Sequence, residues 1–435
     1  MTSTALRDAP AYSPPSTAVG ISQRIASLDI VRGVVCVLMA IDHVRVYSGL
    51  PAGGPTFGIF FTRWITHFVA PAFVFLAGTA AFLYGERVQD KGKLARFLVT
   101  RGLWLVVLEL TVIRVGWTFN FDFASYMLAG VIWMIGWCMV LMSAIIYLPH
   151  IAIAVGSIAI IAGHNVTNFF PGFGGAIRQG PFGWLGKIAY TGGGIPSDDE
   201  GPLLVLFVLV PWIAVMAAGY AFGPVMRLSP ERRRSICYKI GFGAIAAFIA
   251  LRALDVYGDP RPWRRGRPPA TAQSRPPAQA ATQAPAATPA PPQPPRRQMP
   301  AALAFLNTAK YPASLSFLLM TLGPMFVLLA LVEGARGPIA GALETFGRVP
   351  FFYYLLHIPA IHVAAIIVSL IREGTVNPWL FQNHPMGNGP APNGYMWSLP
   401  LLYLVWAIVV GVLYVACRWY AEIKARNRSA WLSYL

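Results

Sequence analysis

The sequence predicts an all-α polytopic membrane protein, a bundle of about ten transmembrane helices. Two observations carry that class. Of 435 residues, 56% are hydrophobic and only 12% charged, with mean hydropathy +0.56. A soluble chain would carry about a quarter charged residues. The apolar residues also gather into runs near the ~20 residues that cross about 30 Å of hydrocarbon. These runs lie near 29–48, 59–84, 97–116, 126–148, 150–164, 203–225, 237–256, 314–333, 351–371 and 399–419, the fifth being short enough for a tilted or re-entrant element.

The loops orient the bundle. The 34 Lys+Arg against 17 Asp+Glu give a formal net charge of +17, which in a soluble chain would suggest nucleic acid. Here the basic residues lie between apolar runs: Arg87, Lys91 and Lys93 after the second; Arg227, Arg232, Arg233 and Arg234 after the sixth; Arg418, Lys424 and Arg426 after the last. All three groups share one side if both termini are cytoplasmic, as the positive-inside rule requires, and nucleic acid is not an expected partner. The setting expected on this reading is a bacterial inner membrane. Cys36, Cys138, Cys237 and Cys417 lie in or beside apolar runs without CxxC spacing, so neither a disulfide framework nor a metal site is expected.

Residues 1–24 contain Pro10, Pro14 and Pro15 and no apolar signal region, and read as a disordered tail. Residues 25–420 form the transmembrane domain. It is interrupted at 259–300 by a Pro/Ala/Arg-rich loop that cannot bury enough apolar area to fold. Residues 421–435 form a cytoplasmic tail.

Ionisable residues inside the apolar runs are the informative ones, because each is costly in lipid unless paired or facing a cavity. The first helix carries Asp29, Arg32, Asp42, His43 and Arg45. Arg32 and His43 lie within about 20° of one face and about 16 Å apart along the axis, and Asp29 can pair with Arg32 one turn away. The bland alternative is snorkelling at the two interfaces. The second helix carries His67 at a depth similar to that of His43, and Pro71 kinks it and frees a carbonyl near His67. Two histidines from adjacent antiparallel helices can meet there. Glu109 and Arg114 follow in the third run. Asp259 sits in a Gly-Asp-Pro turn, which alone accounts for it, while Asn307 and Lys310 lead into the eighth run. Arg348 precedes the ninth, and His357 and His362 diverge by about 140°, so one at most faces a given cavity. Asn165-Val166-Thr167 matches an N-glycosylation pattern that matters only in a secretory pathway.

Ser27-Leu28-Asp29-Ile30-Val31-Arg32-Gly33, the stretch 70–79, Gly258–Trp263, Asn307–Pro312 and Phe346–His357 together resemble the membrane family of heparan-alpha-glucosaminide N-acetyltransferase, and more closely its bacterial relatives. The Arg32–His43 spacing also resembles a motif of the wider transmembrane acyltransferases that modify surface sugars. The resemblance implies an enzyme that moves an acetyl or other acyl group from cytoplasmic acyl-CoA to a sugar or glycan acceptor across the bilayer. Membrane lipid, acyl-CoA and the glycan are the expected partners, and a homo-oligomer is compatible.

In the lysosomal branch the catalytic histidine lies in the loop after the first helix, and the loop at 48–58 here has none. His43 and His67 therefore both stand as catalytic candidates, with Asp42 orienting. Arg32, Asp29, His357 and Arg348 are the expected donor-binding residues, and Asp259, Asn307 and Lys310 the expected acceptor-side residues. Asn307, Lys310 or a tyrosine could stabilise an oxyanion. The rival class is a proton-coupled transporter using intramembrane Arg and His, although the polar residues concentrate in the first two helices instead of recurring in two halves.

Overall fold

Lipid offers backbone groups no hydrogen bonds, so the apolar runs close their bonds internally as helices. A computed structural model of the protein describes residues 25–53, 56–170, 172–196, 202–264, 299–385 and 389–427. The expected N-terminal tail, residues 265–298 of the expected loop, and residues 428–435 lie outside the described residues.

Each of the ten apolar runs holds a helix: α1 (Ala26–Tyr47), α2 (Phe57–Val88), α3 (Lys91–Leu108) continuing through a π-helical turn (Glu109–Ile113) into α4 (Arg114–Thr118), α5 (Val131–Ile145), α6 (His150–Gly163), α7 (Val210–Phe222), α8 (Pro230–Leu254), α9 (Leu315–Leu331), α11 (Pro350–Glu373) and α12 (Leu399–Arg426). An amphipathic helix, α10 (Pro338–Arg348), precedes α11. Five stretches among the described residues are long and apolar enough to cross a membrane: Phe57–Val88, His150–Phe169, Pro230–Leu254, Pro350–Glu373 and Leu399–Arg426. The protein is an all-α polytopic membrane protein. Along α12, Leu404, Ile408, Val412, Val415 and Trp419 are exposed, as a lipid-facing stripe is.

Capping sets several helix starts earlier than the apolar runs suggest. Asp90 accepts the amides of Gly92 (2.8 Å) and Lys93 (3.0 Å), so α3 begins among lysines, and these bonds hold the Asp90 carboxyl below its usual range. Ser229 does the same for α8. The fourth and sixth runs do not begin as helices. Their first residues form β1 (Met127–Ala129) and β3 (Leu203–Val205), paired in parallel, with β2 (Gly193–Ile195) antiparallel on the far side of β3. Short apolar segments suit helix and strand equally, and pairing over long sequence separation decides between them.

Helices have little hydrophobic reason to associate in lipid, and close backbone approach through small residues replaces it. Four glycine pairs do this reciprocally. A Cβ on Gly33 would strike the carbonyl of Leu343, and one on Gly347 that of Asp29, locking α1 against α10 in antiparallel sense. Gly78 and Gly219 lock α2 to α7, Gly102 and Gly136 lock α3 to α5, and Gly241 and Gly323 lock α8 to α9. Thr79 adds a hydrogen bond from its hydroxyl to the Gly219 carbonyl (3.0 Å). Beside the N-terminus of α1, Arg233 makes a bidentate pair with Glu333, which also accepts from Ser27 (2.9 Å).

The segment between residues 309 and 315 is held from three sides. Asp259 accepts the Ala309 amide (2.8 Å) and the Ser314 hydroxyl (2.9 Å). A ring nitrogen of His164 faces the Ala313 carbonyl (2.9 Å), and buried Asn165 accepts the Leu315 amide (2.7 Å). That bond and burial withdraw Asn165 from the glycosylation reading.

Gly347→Val should lower folded-state stability in detergent by about 1–3 kcal/mol through overpacking. Gly156→Val, whose Cβ meets nothing within 4 Å, should leave it unchanged. Equal thermal midpoints for the two variants would contradict the crossing. Asn165→Ala should cost about 1–3 kcal/mol, because it strands a buried amide, and Asn165→Asp should retain most of the stability; the same thermal measurement checks both.

Candidate active site

The centre of the site is a contact between two imidazoles from α1 and α11. His43 Nδ1 lies 2.6 Å from His357 Nε2, with the rings stacked at 4.8 Å. The other nitrogen of His357, Nδ1, faces the carbonyls of Tyr354 (2.6 Å) and Tyr353 (3.2 Å). A carbonyl can only accept, so with both rings neutral His357 carries its proton on Nδ1 and its Nε2 accepts. His43 then donates from Nδ1, and its Nε2 is left with a lone pair. A fully buried residue thus fixes the tautomer of a partly exposed one, the arrangement a general base requires.

Trp117 closes one side of His43, edge-on at 4.8 Å. It is placed by Tyr47, whose hydroxyl donates to the Trp117 carbonyl (2.5 Å), and by buried Arg114. Arg114 gathers the following loop by donating to Tyr126 O (3.0 Å), Thr118 Oγ1 (2.9 Å), Asp122 O (2.6 Å) and Asn120. Further out, His362 stacks between Phe119 (3.9 Å) and Tyr47 (4.8 Å), and His384 lies against Tyr47 (5.2 Å). Burial pushes the His384 imidazole down to about 4, so this loop histidine is neutral.

A cavity of about 390 Å³ lies against α1 and the first turns of α11. Arg32 and Arg101 supply its charge, and its apolar wall includes Phe73, Phe97, Phe351 and the alanines of α2. Arg32 is braced by Asp29 (3.2 Å) and the Leu76 carbonyl (3.3 Å). Tyr354 also lines the cavity. Its carbonyl holds His357, and its hydroxyl reaches Glu109 (3.3 Å). Glu109 sits in the π-helical turn and accepts backbone amides at Gly130 and Ile132, capping α5 in place of a side chain from α5's own start. Extra-turn insertions of this kind recur at functional sites.

The expected residues divide into three groups. Arg32, Asp29, His43 and His357 stand on the two helices that form the site. Arg32 lines the cavity, and His43 is not among its lining residues. Asp42 is bonded to Arg45 (2.8 Å), so it is the His357 ring, and not Asp42, that holds His43. His67 is buried with Nδ1 on the Trp64 carbonyl (3.1 Å) and its ring edge-on to Phe317 (5.5 Å); the histidine that meets His43 is His357. The helix is broken at Ile65–Phe68, just where Pro71 withdraws the donor for the His67 carbonyl.

The Lys310 ammonium lies over the rings of Tyr311 (5.2 Å) and Phe207 (6.0 Å). Asp259 is engaged with the 309–314 segment, Asn307 Nδ2 faces the Met299 sulfur (3.9 Å), and Arg348 pairs with Glu344 on the exposed side of α10. Trp117 and Tyr354 were not anticipated. The spacing of Tyr354 three residues before His357 was a usable signal, because it places both on one helix face.

The sequence profile of the heparan-alpha-glucosaminide N-acetyltransferase catalytic domain matches residues 24–258, more than half of the 435-residue chain. A search of curated proteins returns no match. The matched span contains α1 to α8, including Arg32 and His43, and places the protein among membrane acetyltransferases: the chain belongs to the heparan-alpha-glucosaminide N-acetyltransferase catalytic-domain family.

Proposed function

We propose that this protein transfers an acetyl (acyl) group from cytoplasmic acyl-CoA to an amine or hydroxyl of a sugar or glycan on the outer side of a bacterial inner membrane, with both of its termini in the cytoplasm. The observation that carries this reading is the bare Nε2 of His43, held in its tautomer by His357 and set on the same helix as Arg32 at the cavity. Both ends of one transfer reaction, an anion-binding end and a base, thus share α1.

The cavity residues suit the donor. Arg32 and Arg101 can pair with coenzyme phosphates, which cannot enter hydrocarbon, and the apolar slot beside them admits a narrow arm. Tyr354 lines this slot and its ring lies 5.2 Å from that of His357, so the proposed path of the thioester to His43 passes this side chain. His43 Nε2 takes a proton from the acceptor as the acceptor's nitrogen or oxygen attacks the thioester carbon. The carbon–sulfur bond then breaks, and the departing thiolate takes the proton back from His43. No acyl-histidine is needed for this balance.

Purified protein in lipid nanodiscs should release CoA from labelled acetyl-CoA and label an amino-sugar or hydroxyl-sugar acceptor. His43→Ala should lower kcat by about 10²–10⁴, the usual contribution of a positioned base. His357→Ala should lower it in the same direction, with His357→Gln keeping more activity. Arg32→Met should raise KM for acetyl-CoA more than it lowers kcat. Absence of both acetyl-CoA binding and CoA release in the unaltered protein would overturn the reading, and full activity in His43→Ala would overturn the assignment of the base.

A further inference from the structure

The cavity that takes in Arg32 is ordered along its length. On α2, Phe73 and Tyr84 both line it, three turns or about 16 Å of helix apart. On α3, Phe97 stands one turn before Arg101, and on α11 Phe351 stands one turn before Tyr354. The Arg101 guanidinium lies over the Phe351 ring (5.7 Å), which brings those two levels together. Arg32 reaches the Leu76 carbonyl (3.3 Å), between Phe73 and Tyr84 on α2. From the end where α2 passes into α3, the lining therefore runs from two aromatic rings, through two guanidinium groups, to Tyr354, whose carbonyl faces His357 (2.6 Å).

The two rings at that end are stacked on each other, Tyr84 against Phe97, with centroids 4.3 Å apart and planes 29° off parallel. Backbone contact beside them fixes the arrangement. A Cβ on Gly85 would come within 2.9 Å of Leu94 Cδ2, so α2 and α3 already touch there. Both rings keep part of their surface uncovered. An aromatic face of this kind stacks on any planar base, and a guanidinium pairs with phosphate. A purine and its 5′-phosphate are separated by one ribose, which the single helical turn of about 5.4 Å from Phe97 to Arg101 accommodates.

We infer that Tyr84 and Phe97 bind the purine base of the donor, so that this protein recognises the nucleotide end of acyl-CoA as well as its acyl arm. This rests on the transfer reaction proposed above, with the donor entering from the end where α2 passes into α3. The purine lies against the ring pair, the diphosphate meets Arg101 and Arg32, and the arm follows the apolar wall toward Tyr354. A donor whose arm is carried on a protein in place of a nucleotide would leave the ring pair without a ligand.

Equilibrium binding to the full-length protein in lipid nanodiscs separates nucleotide from arm. The two probes are acetyl-CoA and S-acetyl-4′-phosphopantetheine, which keeps the arm and one phosphate and lacks the adenosine. The unaltered protein should bind acetyl-CoA at least tenfold more tightly than the truncated donor. Phe97→Leu and Tyr84→Leu should each raise the Kd for acetyl-CoA about tenfold, the scale of one lost stacking contact, and leave the Kd for the truncated donor unchanged. Tyr84→Phe, which keeps the ring, should retain the unaltered affinity for both. Should the leucine variants fail to fold, 1,N6-etheno-CoA reads the same contact in the unaltered protein, because stacking quenches its fluorescent base. Equal affinities for the two donors, equal losses for both in the leucine variants, or undiminished fluorescence of bound etheno-CoA would each overturn this inference and leave the transfer reaction intact. Absence of both acetyl-CoA binding and CoA release in the unaltered protein would overturn both.

Discussion

The contact between two helix backbones at Gly33 and Gly347 is the constraint on which the site depends. Neither position tolerates a Cβ, so α1 and α10 cross with carbonyl of one against α-carbon of the other. Because α10 runs antiparallel to α1 and ends at Arg348, the chain must turn at once, and α11 starts at Pro350 in the same cavity wall as Arg32. From there α11 runs alongside α1, and His357 arrives at His43. A crossing even one side chain wider would separate the two rings beyond hydrogen-bonding distance, since their nitrogens are now 2.6 Å apart. Glycine packing at one end of the bundle therefore sets the tautomer of a histidine more than two helical turns away.

Tyr354 links the two halves of the site more directly. The residue lines the cavity, its hydroxyl reaches Glu109 and its carbonyl holds the histidine pair. Glu109 receives that hydroxyl and at the same time caps α5, whose first residues Val131 and Ile132 are also cavity wall. One buried carboxyl thus ties together α3, α5 and α11 around the slot. The π-helical turn makes this possible, since the extra residue turns Glu109 toward Gly130, where a Cβ would collide with it.

The helices were legible in the sequence because hydrocarbon thickness imposes a length and lipid imposes internal hydrogen bonding. The Asp29–Arg32 pair was legible for a related reason: one helical turn brings residues three apart together. What sequence spacing does not encode is which helix faces which. His43 and His67 lie at similar depth, but depth leaves the angle around each axis free. Packing turned His67 toward Phe317 and brought in His357 from 314 residues further along the chain. The strands β1 and β3 escaped for the same reason, since their partner lies some 76 residues away and the local pattern is merely apolar. Periodicity along α1 likewise placed Arg32 and His43 on one face without revealing that Tyr354, from another helix, lines the cavity with Arg32 and bonds through its carbonyl to the histidine that meets His43.

The distribution of charge completes the account. In a low-dielectric bundle a cation is tolerated where something shares its charge. Arg45 takes Asp42, Arg233 takes Glu333, Arg348 takes Glu344 and Arg32 takes Asp29. The two most buried arginines, Arg114 and Arg252, have no carboxylate partner among the described residues and spend their donors on carbonyl and side-chain oxygens of nearby loops. These contacts hold helices and loops together, and the Asp29 pair presents a braced Arg32 guanidinium to the cavity. Lys310 and Arg63 make no such pair among the described residues, and the Lys310 ammonium lies over the rings of Tyr311 and Phe207. The buried arginines thus serve the packing of helices and loops, and Arg32 does so in the wall of the cavity.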